Sequence, residues 1–193
     1  ARLNSIYDQS CPVYEVLVLD DASPDDSLAE LARYRQRTAR EFALIVNERN
    51  SGSGYVQWAK GVRMARGDLV WIAEADDLAE PAFLAAARRV LEDPDVAFVF
   101  CDSSQRNEKD QLLATSYGYY FDTVEPGAMA QDFVMDGSAD YAGYWVLNSN
   151  MTLYAAVRGS RLFVATSSSA GLPNDHFILI SDTLLPSASA VVR

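Results

Sequence analysis

Two short apolar runs in this chain stop abruptly at carboxylates. Glu15-Val16-Leu17-Val18-Leu19 ends at Asp20-Asp21, and Leu69-Val70-Trp71-Ile72-Ala73 ends at Glu74-Ala75-Asp76-Asp77. An apolar run without polar alternation is the pattern of a strand buried on both faces, which belongs to a parallel sheet covered by helices. Acids at the end of such a strand lie at the carboxyl edge, where open α/β sheets bind ligands.

The segments between and around these runs fit that frame. Leu3, Ile6 and Tyr7 follow an i, i+3, i+4 pattern that predicts a short amphipathic helix ending before Cys11-Pro12. Ser23-Pro24-Asp25-Asp26 reads as an N-cap, a first-turn proline and first-turn acids, opening a helix with Leu28, Leu31 and Ala32 on one face. Phe42 to Val46 is strand-like and 54–66 helical. Pro81 opens a helix burying Phe83, Leu84, Ala87, Val90 and Leu91, and Val96 to Cys101 is a further strand. Alternating strands and helices predict an α/β fold with a mainly parallel central sheet and helices on both faces. Beyond Ser103 the pattern loosens: 105–111 is polar and turn-like, 147–157 suits a core helix or a strand, and 167–171 is a connection.

With 193 residues, 49% of them hydrophobic, the chain can close one core, and 1–193 reads as a single domain. The formal charge of −11 repels phosphate backbones, so nucleic acid is not an expected partner. It does not exclude a nucleotide-sugar, because carboxylates can meet a diphosphate through a shared divalent cation. Cys11 and Cys101 lack the spacing of a zinc site or a disulfide framework, which points to a reducing, cytoplasmic setting. No apolar run is long enough to span a membrane.

Four constellations could carry chemistry. Asp20 and Asp21 could accept hydrogen bonds from a base N–H or ribose hydroxyls, or cap the turn. Glu74, Asp76 and Asp77 repel one another, so they sit either in solvent or around a cation. Their all-oxygen donor set favours Mg²⁺ or Mn²⁺. The loop Asn47-Glu48-Arg49-Asn50-Ser51-Gly52-Ser53-Gly54 enters a helix bearing Gln57 and Lys60. Its backbone could approach phosphate, with Arg49 or Lys60 adding charge, although it is neither a Walker loop nor a dinucleotide fingerprint. Asp175 beside His176 offers a general base, against which stands the commoner structural role of an isolated histidine.

In order and spacing these pieces resemble glycosyltransferase family 2. Tyr14 to Ser27 is similar to that family's strand and Asp-Asp-x-Ser turn. Asn50-Ser51-Gly52, Ala59-Lys60-Gly61 and Ala65 to Asp77, followed by Pro81 and Leu84, are similar to its central signature. The resemblance implies a GT-A fold, a nucleoside-diphosphate sugar donor and a glycan or lipid-linked acceptor. It also implies a divalent metal, Mg²⁺ or Mn²⁺, held by a DxD motif. Residues 1–102 would form the donor half and 103–193 the acceptor side. Donor contacts would come from Asp20, Asp21, Asn50, Gly52, Lys60, Glu74, Ala75 and Asp76, and metal ligands from Asp76 and Asp77. Glu74 replaces the first Asp of the motif. Asp175 resembles the late acid that deprotonates the acceptor for inverting attack.

Two departures stand out. The family begins with a strand ending in Pro-x-Tyr-Asn, and none precedes Ala1. The Arg-x-His ending of relatives is missing from 181–193. The expectation is a piece of a longer chain whose first strand lies outside this sequence; another element filling that strand's place would overturn it. Missing segments could also bring peripheral association with the inner face of a membrane. A catalytically silent nucleotide-sugar-binding or scaffolding module is the alternative function. A receiver-like signalling domain ranks last, since it leaves the series from Asn50 to Asp77 unexplained.

Overall fold

A computed structural model describes residues 1–94, 96, 98–99, 101–116, 118–123, 126–127, 130–132, 153–156 and 176–182. Its helices are α1 (Arg2–Tyr7), α2 (Ser27–Thr38), α3 (Gly54–Met64), α4 (Phe83–Leu91) and α5 (Gly118–Phe121). Its strands are β1 (Glu15–Asp20), β2 (Ala43–Val46), β3 (Leu69–Glu74), β4 (Phe98–Val99), β5 (Gln105–Arg106), β6 (Leu112–Ala114), β7 (Leu153–Ala156) and β8 (His176–Asp182). Six strands form one sheet in the order β2-β1-β8-β3-β7-β4, and β5 and β6 form a separate hairpin.

The apolar runs 16–19 and 69–73 are buried on both faces, as their composition predicts. Val16, Val18, Leu69, Trp71 and Ala73 face one way, toward Leu3 and Ile6 of α1, Tyr34 of α2 and Leu84, Ala87 and Leu91 of α4. The alternate residues Leu17, Leu19, Val70 and Ile72 meet Trp58 of α3, with Tyr55 and Val62 packed alongside. A fully buried leucine such as Leu84 contributes about 2 kcal/mol through the apolar surface it removes from water.

Four sequence expectations are corrected. The sheet is mixed rather than mainly parallel. β1 pairs in parallel with β2, but β8 runs antiparallel to both β1 and β3, and β7 runs antiparallel to both β3 and β4. The place expected for a missing first strand is therefore filled from the far end of the chain. Glu15 to Asp20 pair with Ser181 to His176, and Leu69 to Glu74 with Asp182 to Phe177, so both central strands have complete ladders there.

The second helix begins at Ser27, not after Ser23. Ala22 takes a left-handed φ of 59° that turns the chain, and Asp25 Oδ1 accepts the Ser27 N–H at 3.0 Å. Its inward residues are Tyr34 and, in part, Leu31, whereas Leu28 and Ala32 are exposed. Tyr34 instead donates its hydroxyl to Asn4 of α1 at 3.0 Å. Finally, the polar tract 105–111 opens the β5–β6 hairpin rather than a plain turn. Of the tract 147–157, which suited a helix or a strand, residues 153–156 are strand β7.

Candidate functional site

β1 and β3 flank β8 and both run antiparallel to it, so their carboxyl ends leave the sheet at the same edge. The two acidic turns thus lie two strand spacings apart, roughly 10 Å. The loop between β2 and α3 closes over the first of them.

At that first turn Asp20 is fully buried, and its Oδ1 accepts the Ser23 N–H at 3.3 Å. Asp21 is 3% exposed and is met by a ring of protein donors. Asn47 Nδ2 donates at 2.5 Å, Gln57 Nε2 at 2.8 Å, Ser51 Oγ at 2.6 Å, and the Ser51 N–H lies 3.0 Å from both carboxylate oxygens. These donors satisfy the hydrogen-bonding capacity of the carboxylate from within the protein. Lys60 Nζ in turn donates to Asn47 Oδ1 at 2.5 Å, so this lysine braces the loop. Asn50 Oδ1 accepts the Gly52 N–H at 2.7 Å, and Gly52 sits at φ +69° with open space where a Cβ would project. Asn50, Ser51 and Gly52 are exposed, as is Arg49, so the loop offers its tip to solvent.

The second turn is built differently. Glu74 closes β3, and Ala75 and Asp76 form an exposed turn in which the Asp77 N–H reaches the Glu74 carbonyl at 3.3 Å. Burial pushes the Glu74 carboxyl up to about 8, reinforced by the charges of Asp77 and Asp76 and opposed by Arg2. Asp77 rises to about 6 through burial, with Arg2 pulling the other way. One oxygen of Asp77, Oδ2, is buried without a hydrogen-bond partner among the described residues. An all-oxygen set with an unmet carboxylate oxygen fits a hard divalent cation held by one or two protein ligands, the rest of its shell coming from phosphate and water. No cage of three or more metal-ligating side chains exists among the described residues.

Several contributors had no role assigned from the sequence. Gln57, completely buried, lies with Trp58 and Gly61 on the inward face of α3, and a glutamine on an apolar stripe was the signal available. Arg2 at the start of α1 and Gln9 just beyond its end are also buried polar residues. Tyr55, stacked edge-on against Trp58 at 5.3 Å, has its hydroxyl pushed up by burial and by the charge of Glu74. Asp175 lies outside the described residues; His176 opens β8 opposite Asp20.

A family model for glycosyl transferase family 2 matches residues 1–169. The chain belongs to glycosyltransferase family 2. A Mycoplasma pneumoniae protein named as an uncharacterized glycosyltransferase, the MG060 homolog, is 23% identical over 103 residues, covering 53% of this chain and 34% of that protein. The chain therefore spans about a third of the length of this curated relative. No solved structure matches it. Among the described residues no helix of this family 2 chain is long and apolar enough to cross a membrane.

Proposed function

We propose that the chain is the catalytic domain of a GT-A glycosyltransferase that takes a sugar from a nucleoside-diphosphate donor to a glycan or lipid-linked acceptor, with inversion. The observation that carries this reading is the pairing of two acidic turns at one sheet edge, one of them closed by a glycine-containing loop, within a chain of glycosyltransferase family 2.

The nucleoside docks at the first turn. Asp20 and Asp21 lie at its base, and Ser51 is the exposed member of the set holding Asp21. A base N–H or ribose hydroxyl can take the place of the Ser51 hydroxyl while buried Gln57 keeps the carboxylate oriented. Asn50 and Gly52 give the backbone close approach, and Lys60 fixes the loop through Asn47. The diphosphate lies toward Glu74, Ala75 and Asp76, with Asp76 and Asp77 holding Mg²⁺ or Mn²⁺. Such an ion supplies Lewis-acid neutralisation of the leaving diphosphate. Asp175 takes the proton from the acceptor hydroxyl as that oxygen attacks the sugar from the face opposite the diphosphate.

Calorimetric titration with UDP and GDP, with and without Mn²⁺, tests the reading on wild type and Asp76→Ala. Metal-dependent binding that disappears in Asp76→Ala is expected. A folded protein that binds neither nucleotide under any metal condition would sink it. That result would favour the second reading, a catalytically silent scaffolding module, which the internally engaged Asp21 and the Glu74 replacement both permit.

A further inference from the structure

Strand β2 closes one end of the six-stranded sheet, with β1 on one side and no further strand on the other among the described residues. Ala43 to Val46 are all apolar, and Leu44 and Val46 stand 37% and 47% exposed. Edge strands are ordinarily blunted by a proline, a bulge or a charge, because their free N–H and C=O groups template another strand. β2 has none of these within its span.

The ladder fixes which groups are on offer. The Asn47 N–H donates to the Asp20 carbonyl at 2.8 Å, so the odd-numbered residues turn their main-chain groups inward to β1. Successive residues of a strand alternate, and Leu44 and Val46 therefore direct N–H and C=O outward. Phe42 points the same way, but its carbonyl is already held by Arg35 Nη2 at 2.6 Å. Outward pairing is thereby confined to Leu44 and Val46.

We propose that β2 is a self-docking edge that pairs antiparallel with β2 of a second copy of this chain, about a two-fold axis through Ile45. In that register Leu44 of one copy lies opposite Val46 of the other, and each such pair exchanges both N–H···O bonds. Their exposed side chains emerge on one face, apolar against apolar. A register centred on Leu44 would instead call on the Phe42 carbonyl that Arg35 holds. Charge selects the same arrangement. Just beyond the strand ends, the Ile45 register brings Glu41 of each copy level with Arg49 of the other, and both residues are exposed. Glu41 lies 3.7 Å from Arg35 with its side chain 82% exposed, so it keeps an open side for the second copy. Parallel pairing in register would set Glu41 beside Glu41 and Arg49 beside Arg49. Within a chain of net charge −11, the charges of Arg40, Glu41, Glu48 and Arg49 cancel, so this edge does not add to the mutual repulsion of two acidic copies.

So short an edge buries less than the ~1,200 Å² of a standard interface, and the dimer should be weak, with a Kd on the order of 10–100 μM. Sedimentation velocity of the purified protein from about 2 to about 200 μM should show monomer giving way to dimer. Leu44→Pro removes an outward N–H and no bond to β1, and it should weaken the dimer about tenfold. Glu41→Arg and Arg49→Glu should each weaken it about threefold, and the two together should restore it. Ile45→Cys should form an intermolecular disulfide on mild oxidation, well above the background that Cys11 and Cys101 give wild type. The central pair is a non-hydrogen-bonded one with Cα atoms about 4.5 Å apart, within the reach of that bond. Leu44→Cys, which does not face its own copy, should stay at the background. Wild type that remains monomeric at the top concentration overturns the proposal and returns the edge to a strand from a different protein or to none. So does a dimer that Leu44→Pro leaves intact, a double charge reversal no tighter than either single one, or cross-linking through Leu44→Cys in preference to Ile45→Cys. If Leu44→Pro fails to fold by circular dichroism, Leu44→Lys is read by the same criterion.

Discussion

The two acidic turns begin from similar sequence and end in opposite chemical states. After β1, a carboxylate is surrounded by donors from Asn47, Ser51 and Gln57, and its charge is met within the protein. After β3, Glu74 and Asp77 find no comparable set of donors among the described residues, and burial pushes both toward the protonated form. The first turn is a finished structural joint whose exposed serine can be exchanged. The second leaves Asp77 Oδ2 buried without a hydrogen-bond partner among the described residues. An acid pair after a buried strand therefore has no single meaning; the supply of nearby donors decides it.

Asp21→Ala should break this contrast most severely. It leaves Gln57 Nε2 buried and removes the anchor of the 47–53 loop, so a urea melt should show a loss of about 3 kcal/mol.

A pH effect comes next. Glu74 holds its proton more tightly folded, at about 8, than the ordinary value of 4.5. Its stabilising contribution is therefore full below about pH 4.5 and is lost as pH rises through about 8. In metal-free buffer, Glu74→Gln should gain on wild type between those limits, reaching about 2 kcal/mol at pH 9 after discounting for partial exposure. Paired thermal melts across that range check it, and equal pH profiles would contradict it.

Smaller still, Gly52→Ala should cost about 1 kcal/mol by thermal melt. The space is open but the positive φ disfavours a side chain. Asp76→Ala sharpens the comparison from the other side: its stability should move by less than about 0.5 kcal/mol while Mn²⁺-dependent nucleotide binding is lost, as melting and calorimetry on one preparation would show.

Much of this architecture was legible locally. The apolar runs at 16–19 and 69–73, the helix over 54–64 and the stripe Leu84, Ala87 and Leu91 all follow from periodicity and burial. The acids were legible as a pair of turns at one edge. What was not legible is non-local. Nothing in the alternation of 176–182 says that this strand inserts between two others far earlier in the chain, because pairing partners are set by topology rather than by local pattern. The state of Asp21 was hidden for the same reason: its donors lie 26 to 36 residues away. The start of α2 was misplaced because Ser23 and Pro24 imitate a helix opening, while the turn is made by Ala22 and the side chain of Asp25.

The position of β8 also sets an order of events during synthesis. β1 and β3 do not pair with each other; each has β8 as its neighbour on the facing side. That strand leaves the ribosome about a hundred residues after β3. Until it arrives, the growing chain carries two separate strand groups with unpaired inner edges, and the edge that bears both acidic turns is not yet assembled. Loop closure over that distance adds little to the equilibrium cost but slows the step that joins them. A protein shortened before residue 176 would keep nearly every acid named above, yet it would lack the strand that sets the two turns side by side.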